Sequence, residues 1–246
     1  MSSSPHQRFA EAVAAHLLDR VRRQRLAAAT PGIRLRHSRP GDAVAGWLRG
    51  DPVWPPGASW PCFDDGYPLA HLLTLDLAVL PRTGLDLPDT GWLVFFVSDD
   101  ELDHGEVHWV REGAPVEALG DTGERVEVTA VVEPTWAGFD HPDLVTGWEP
   151  RLEDRWQVEI TDVSTLPVHR VGGFGEGVQY DVEFAPGSQV LVGSDGEELP
   201  VLLAQIDTDY EAGIGWGDVG NSHWVIGREA LAARRFEEVE MFWSCH

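Results

Sequence analysis

The sequence predicts an α+β protein that is mainly antiparallel sheet, built as two related halves. A leading amphipathic helix precedes the sheet, and a short helix precedes a last strand. Three observations carry this. Short apolar or alternating runs recur from residue 69 to the C-terminus, punctuated by many of the 26 Gly and 17 Pro. Only residues 5–29 sustain a helical period over several turns. Two motifs of the first half reappear in the same order in the second.

The leading helix is expected over residues 5–29. Ser4 suits the N-cap, Pro5 the first helical position, and Gln7 completes a capping box. Phe9, Val13, Leu17 and Val21 form its apolar stripe, widened by Ala10, Ala14 and Leu18. Thr30-Pro31-Gly32 reads as its end. Arg20, Arg22, Arg23 and Arg25 crowd its last turns, where positive charge complements the helix dipole. The small residues of the stripe favour docking on the body over lying on a membrane surface or a partner.

Strands are expected at Leu69–Leu75, Trp92–Val97, Glu106–Arg111, Arg125–Val132, Gln189–Val192, Leu199–Ile206 and residues 223–226. The run WLVFFV is apolar throughout and reads as a central strand. The segment Gly193-Ser194-Asp195-Gly196 reads as a hairpin turn. A short helix is expected over Arg228–Arg235. The last strand carries Val239, Met241, Trp243 and Cys245 on one face.

The echo between the halves is specific. Gly50-Asp51-Pro52 resembles Gly173-Phe174-Gly175, and LLTLDL at 72–77 resembles LAQIDT at 203–208. The organisation expected is a helix over 1–32 and a body over 33–246, with pseudo-repeats at about 39–132 and 160–246.

Charge and composition exclude several chemistries. The 246 residues carry 41 acids against 18 bases, a formal net charge of −23, and every base is Arg. Without lysine there is no Schiff base, no Walker A phosphate contact and no Ser-x-x-Lys pair. The net charge opposes nucleic-acid binding, which depends on neutralising phosphates. The charge is unevenly spread: residues 1–40 hold a net +6 and residues 41–246 a net −29. Two cysteines, Cys62 and Cys245, make no disulfide framework or zinc pattern. With no signal-peptide run and no membrane-length apolar stretch, a cytoplasmic protein is expected.

The segments GDPVWPPGASWP (50–61), YPLAHLLTLDL (67–77), VGGFGEGVQ (171–179), LLAQIDTD (202–209) and GWGDVG (215–220), with the closing REALAARRFEEVEMFWSC, resemble the YwqG-like family of uncharacterised bacterial proteins. The resemblance covers about residues 39–245. It implies a fold and a motif order, and no reaction. Three positions depart from the family pattern. Arg49 stands where the family tends to have Gly, Thr74 where it has Gln, and Gly175 where it has Pro.

The candidate site residues come from two groups. Asp207 and Asp209, with Asp218 and Glu211 nearby, offer oxygen ligands for a divalent cation. Asp207 and Asp209 share a face if the strand continues through them. Trp54 and Trp60, in a Pro-rich loop, offer rings for stacking a peptide or glycan, with Gln179, Gln205 and Trp216 as further ligand-binding candidates. Two look-alikes fail. Gly215–Gly220 matches G-x-G-x-x-G, but a strand is expected after it where a dinucleotide site needs a helix. Asp99–Gly105 lacks the glycine and glutamate positions of a calcium loop and reads as a hairpin turn. The ten histidines form no metal pattern along the chain, and no Ser or Cys has an evident His partner.

The expected function is a non-enzymatic binding protein for a basic protein or peptide, steered by the acidic body. No nucleic acid or membrane is expected as a partner, and no cofactor beyond a divalent cation. The alternative is a divalent-metal-dependent hydrolase with a carboxylate site near Asp207 and Asp218.

Overall fold

The computed structural model describes residues 29–63, 66–98, 104–119, 123–135, 167–177 and 200–245. The expected N-terminal helix, the strand at 189–192, the turn at 193–196, most of the 99–105 turn and Gln179 lie outside them.

Twelve strands are present among the described residues. They are β1 (Thr30–His37), β2 (Gly46–Leu48), β3 (Val53–Trp54), β4 (Ala70–Asp76), β5 (Trp92–Val97), β6 (Gly105–Val110), β7 (Ala114–Pro115), β8 (Val126–Thr135), β9 (His169–Val171), β10 (Val201–Asp207), β11 (Asn221–Ile226) and β12 (Glu240–Ser244). Helix α1 (Arg228–Ala232) and a 3-10 turn at Phe236–Glu238 sit between β11 and β12. Ten strands make one antiparallel sheet in the order β12-β11-β10-β9-β1-β8-β2-β4-β5-β6, and β3 pairs with β7 apart from it. The end strands β6 and β12 approach each other, so the sheet curls into a nearly closed barrel. No described helix is long and apolar enough to cross a membrane.

The run WLVFFV forms β5 with its ends as expected, and its composition follows from burial on both faces. Leu93, Phe95 and Val97 point into the main core with Leu73, Leu75, Ile206 and Trp224. Val94 and Phe96 join a second cluster with Trp47, Val53, Trp54 and Leu69. A strand covered on both sides has no polar face to alternate with.

Two expectations need correction. Thr30-Pro31-Gly32, read as the end of a helix, lie in β1, a central strand paired with both β8 and β9. The signal was local: Ile33 and Leu35 are buried while Arg34 and Arg36 alternate with them. The second helix is also shorter than Arg228–Arg235, because Arg234 takes φ 63° and ends it.

The strand order reads the same outward from β1 and β8: β9-β10-β11-β12 on one side, β2-β4-β5-β6 on the other. Thr74 lies between Trp47 and Val94, and Gln205 between Arg170 and His223. Both β4 and β10 carry a bulge, at His71/Leu73 and Leu202/Ala204. In each side of the sheet a pair of left-handed residues follows the first strand, Arg49-Gly50 after β2 and Gly172-Gly173 after β9.

A candidate cation site at His37, His169 and Asp209

Three elements meet at one point. His37 ends β1, His169 opens β9, and Asp209 follows β10 by two residues. Pairing of β1 with β9 and of β9 with β10 draws these chain segments together. Asp209 Oδ2 lies 2.6 Å from His37 Nε2 and 2.9 Å from His169 Nε2. Its other oxygen, Oδ1, accepts the backbone N–H groups of Glu211 (3.1 Å) and Ala212 (3.2 Å). These last two bonds belong to the turn closed by the Asp209–Ile214 bridge. An Asp that accepts its own turn's amides holds its carboxylate at a fixed angle.

Burial alone would raise the Asp209 carboxyl. The hydrogen bonds from His169 and His37, with that from Ala212, outweigh it and hold the carboxyl well below its usual range. Asp209 is therefore an anion facing two imidazoles. His169 and Asp209 are buried, but the His37 side chain keeps 25% exposure and links the group to solvent. On its far side, His37 Nδ1 faces Glu211 Oε2 at 3.3 Å, and that carboxylate is 77% exposed.

Ring nitrogens of the two histidines and one Asp209 oxygen all lie within 4.8 Å of one another, close enough to share one ion. Imidazole nitrogen beside a carboxylate suits Zn²⁺ and other first-row divalent ions better than Ca²⁺ or Mg²⁺, which take oxygen ligands.

The residues singled out in the sequence fall in different places. Asp209 belongs to this group. Asp207 does not, because β10 ends there and its carboxylate turns to other donors. Its Oδ2 accepts Val168 N–H at 2.7 Å and its Oδ1 accepts Gln205 Nε2 at 2.8 Å. Burial pushes Asp207 upward, against the pull of His169 and Gln205. Gln205 also accepts the Glu176 N–H at 2.7 Å, so it ties the Gly172–Gly177 loop to Asp207. Asp218 is exposed in the turn before β11, and Trp216 is packed in the main core. Asp76, the first-half counterpart of Asp207 in strand position, accepts the Ala78 N–H at 2.9 Å.

Trp54 is buried, with its N–H on the Ser59 carbonyl, and the half-buried Trp60 donates to the Leu69 carbonyl. Both rings pack edge-on to Phe96, at 5.1 and 5.2 Å. The segment Gly215–Gly220 is followed by a strand. A Cβ on Gly220 would lie 2.0 Å from the Ser244 carbonyl, so close backbone approach explains that glycine.

Sequence reasoning missed His37 and His169. Neither has a ligand at a recognisable spacing, and only strand pairing joins them to Asp209. A weak signal existed for His37, the polar end of an alternating run.

A comparison with curated proteins finds no match. A family model described as a domain of unknown function, DUF1963, matches residues 47–245. His169 and Asp209 lie inside that match, and His37 precedes it. The motifs, their order and this match over most of the chain place the protein in the DUF1963, or YwqG-like, family.

Proposed function

We propose that the protein binds a divalent transition-metal ion where β1, β9 and the turn after β10 meet, as the centre of a hydrolytic site. The observation that supports this is the convergence of His37, His169 and Asp209 donor atoms within 4.8 Å. This keeps the metal and the carboxylate chemistry of the alternative drawn from the sequence, with Asp209 as the one carboxylate of the group and without Asp207 or Asp218. A bound ion would activate water and polarise an ester, amide or phosphoryl oxygen. The partly exposed His37 and the exposed Glu211 give water and substrate a side from which to approach.

Calorimetry with Zn²⁺, Mn²⁺, Co²⁺ and Mg²⁺ tests the binding. One ion per chain is expected, with affinity reduced about 10-fold or more in His37→Ala. No binding by the wild type, or equal binding by His37→Ala, removes the proposal. The hydrolytic part predicts turnover of a simple ester or phosphoester panel that depends on the ion and disappears in Asp209→Asn.

A basic partner is a separate proposal, supported by the net −29 of residues 41–246. A pull-down across a salt series that finds no salt-sensitive partner would count against it.

The two halves of the sheet are, on this reading, copies of one unit. Support comes from the mirrored strand order, the bulges at matching positions and the paired left-handed residues. The site would then belong to one copy, since Gly46 stands opposite Val128 where His169 stands opposite Leu35. An experimental structure in which the two bulges fail to superpose would refute the duplication.

A further inference from the structure

We infer that within the proposed cation site His37 and Asp209 are the ligands, while His169 is a fixed N–H donor that orients the Asp209 carboxylate. The inference rests on the cation reading above and divides the roles within it.

The argument starts from a backbone amide, which can only donate. The Asp207 N–H points at His169 Nδ1, 3.2 Å away. Nδ1 therefore carries a lone pair. A neutral imidazole has one ring proton, so that proton is on Nε2, which donates to Asp209 Oδ2 at 2.9 Å. Ligation through Nε2 needs the lone pair there. The ring proton would then sit on Nδ1, against the Asp207 N–H, and two donors would face each other in a fully buried place. Turning the ring over offers no escape. It would put carbon where both nitrogens now bond.

A metal-ligating histidine usually gives its second N–H to a carboxylate or carbonyl. His169 has the opposite arrangement, with an amide donating to it. His37 has the usual one: Nε2 faces Asp209 Oδ2 at 2.6 Å, and Nδ1 faces Glu211 Oε2 at 3.3 Å. An ion between His37 Nε2 and Asp209 Oδ2 takes the place of a proton between them, and the proton the ring keeps sits on Nδ1, facing the Glu211 carboxylate. The ion leaves the His169 bond to Asp209 intact. The donor set is then one imidazole, one carboxylate and water, which leaves open positions for a substrate oxygen.

Nitrogen-15 NMR of the full chain, with histidine ring nitrogens correlated to their carbon-bound protons, tests this against added Zn²⁺. The expected result is a His37 ring that becomes Nδ1-protonated with Nε2 on the metal, while His169 stays Nε2-protonated throughout. Loss of the Nε2 proton from His169 with zinc on that nitrogen would overturn the inference and leave the cation reading standing. If saturating Zn²⁺ moves neither ring, the cation reading falls and this inference falls with it. His169→Asn, which keeps an N–H donor, should hold Zn²⁺ within about threefold of wild type, whereas His37→Asn should lose at least tenfold. Equal losses in the two variants would also overturn the assignment.

Discussion

Phe95 on β5 meets Trp224 on β11 edge-to-face across the barrel interior, with ring centroids 5.3 Å apart and planes at 89°. Both side chains are fully buried. Their strands lie at matching places in the two halves of the sheet, so this contact joins the halves through the core. Phe95→Ala should cost about 3–5 kcal/mol in unfolding free energy, from lost burial plus an unfilled cavity. Phe95→Leu should cost less. Urea unfolding measures both, and a loss below 1 kcal/mol for Phe95→Ala would show that the core closes without this pair.

Arg49 occupies φ 55°, a left-handed conformation that favours glycine, and its guanidinium donates to the Gly213 carbonyl at 3.2 Å. Arg49→Ala and Arg49→Gly both remove that hydrogen bond, but only glycine relieves the backbone. Arg49→Gly should therefore be more stable than Arg49→Ala by about 1 kcal/mol. Chemical denaturation of the two variants side by side checks the sign. Alanine equal to glycine would mean that the left-handed backbone is not held in solution.

His71 and His223 set an acid dependence. Burial lowers His71 to about 4 and His223 to about 3. The His71 ring is neutral, with Nδ1–H on the Gly50 carbonyl and Nε2 accepting from the Thr74 hydroxyl. Below the ordinary histidine value of 6.5 the unfolded chain takes up protons that these folded rings refuse. Stability should therefore fall as pH drops from 6.5, and the His71 share should be fully lost near pH 4. That share is about 3 kcal/mol at most. In His71→Asn the stability slope between pH 6.5 and 4 should shrink by about one proton, and an unchanged slope would contradict the buried neutral ring.

Zinc should raise the melting temperature of the wild type, because an ion that binds only the folded chain stabilises it by mass action. At a concentration 100 times Kd the gain is about 2.7 kcal/mol. A chelator should reverse the shift, and at the same zinc concentration His37→Ala should gain only about half as much stability or less. Calorimetric scans with and without Zn²⁺ make the comparison.

Much of the sheet was legible because its signals are local. WLVFFV is apolar over its whole length because β5 is covered on both faces. The residues NSHWVIG directly after the Gly215–Gly220 segment read as a strand, and that sufficed to reject a dinucleotide site. Ile33-Arg34-Leu35-Arg36 carried an equally local alternation. Arg34 and Arg36 count toward the net +6 of residues 1–40, but their alternation with buried Ile33 and Leu35 is the pattern of a central strand.

The sequence by itself determined the family, the antiparallel strands with their apolar faces, and the exclusion of every lysine-dependent chemistry. These depend on residue type and on neighbours a few positions away. Only the tertiary structure decided which carboxylate meets which imidazole. His37, His169 and Asp209 belong to three separated stretches of chain, and the register of β1 against β9 and of β9 against β10 aligns them. Asp207 and Asp209 look alike in sequence. They part in the fold because β10 ends at Asp207, and the next turn carries Asp209 to a different set of donors.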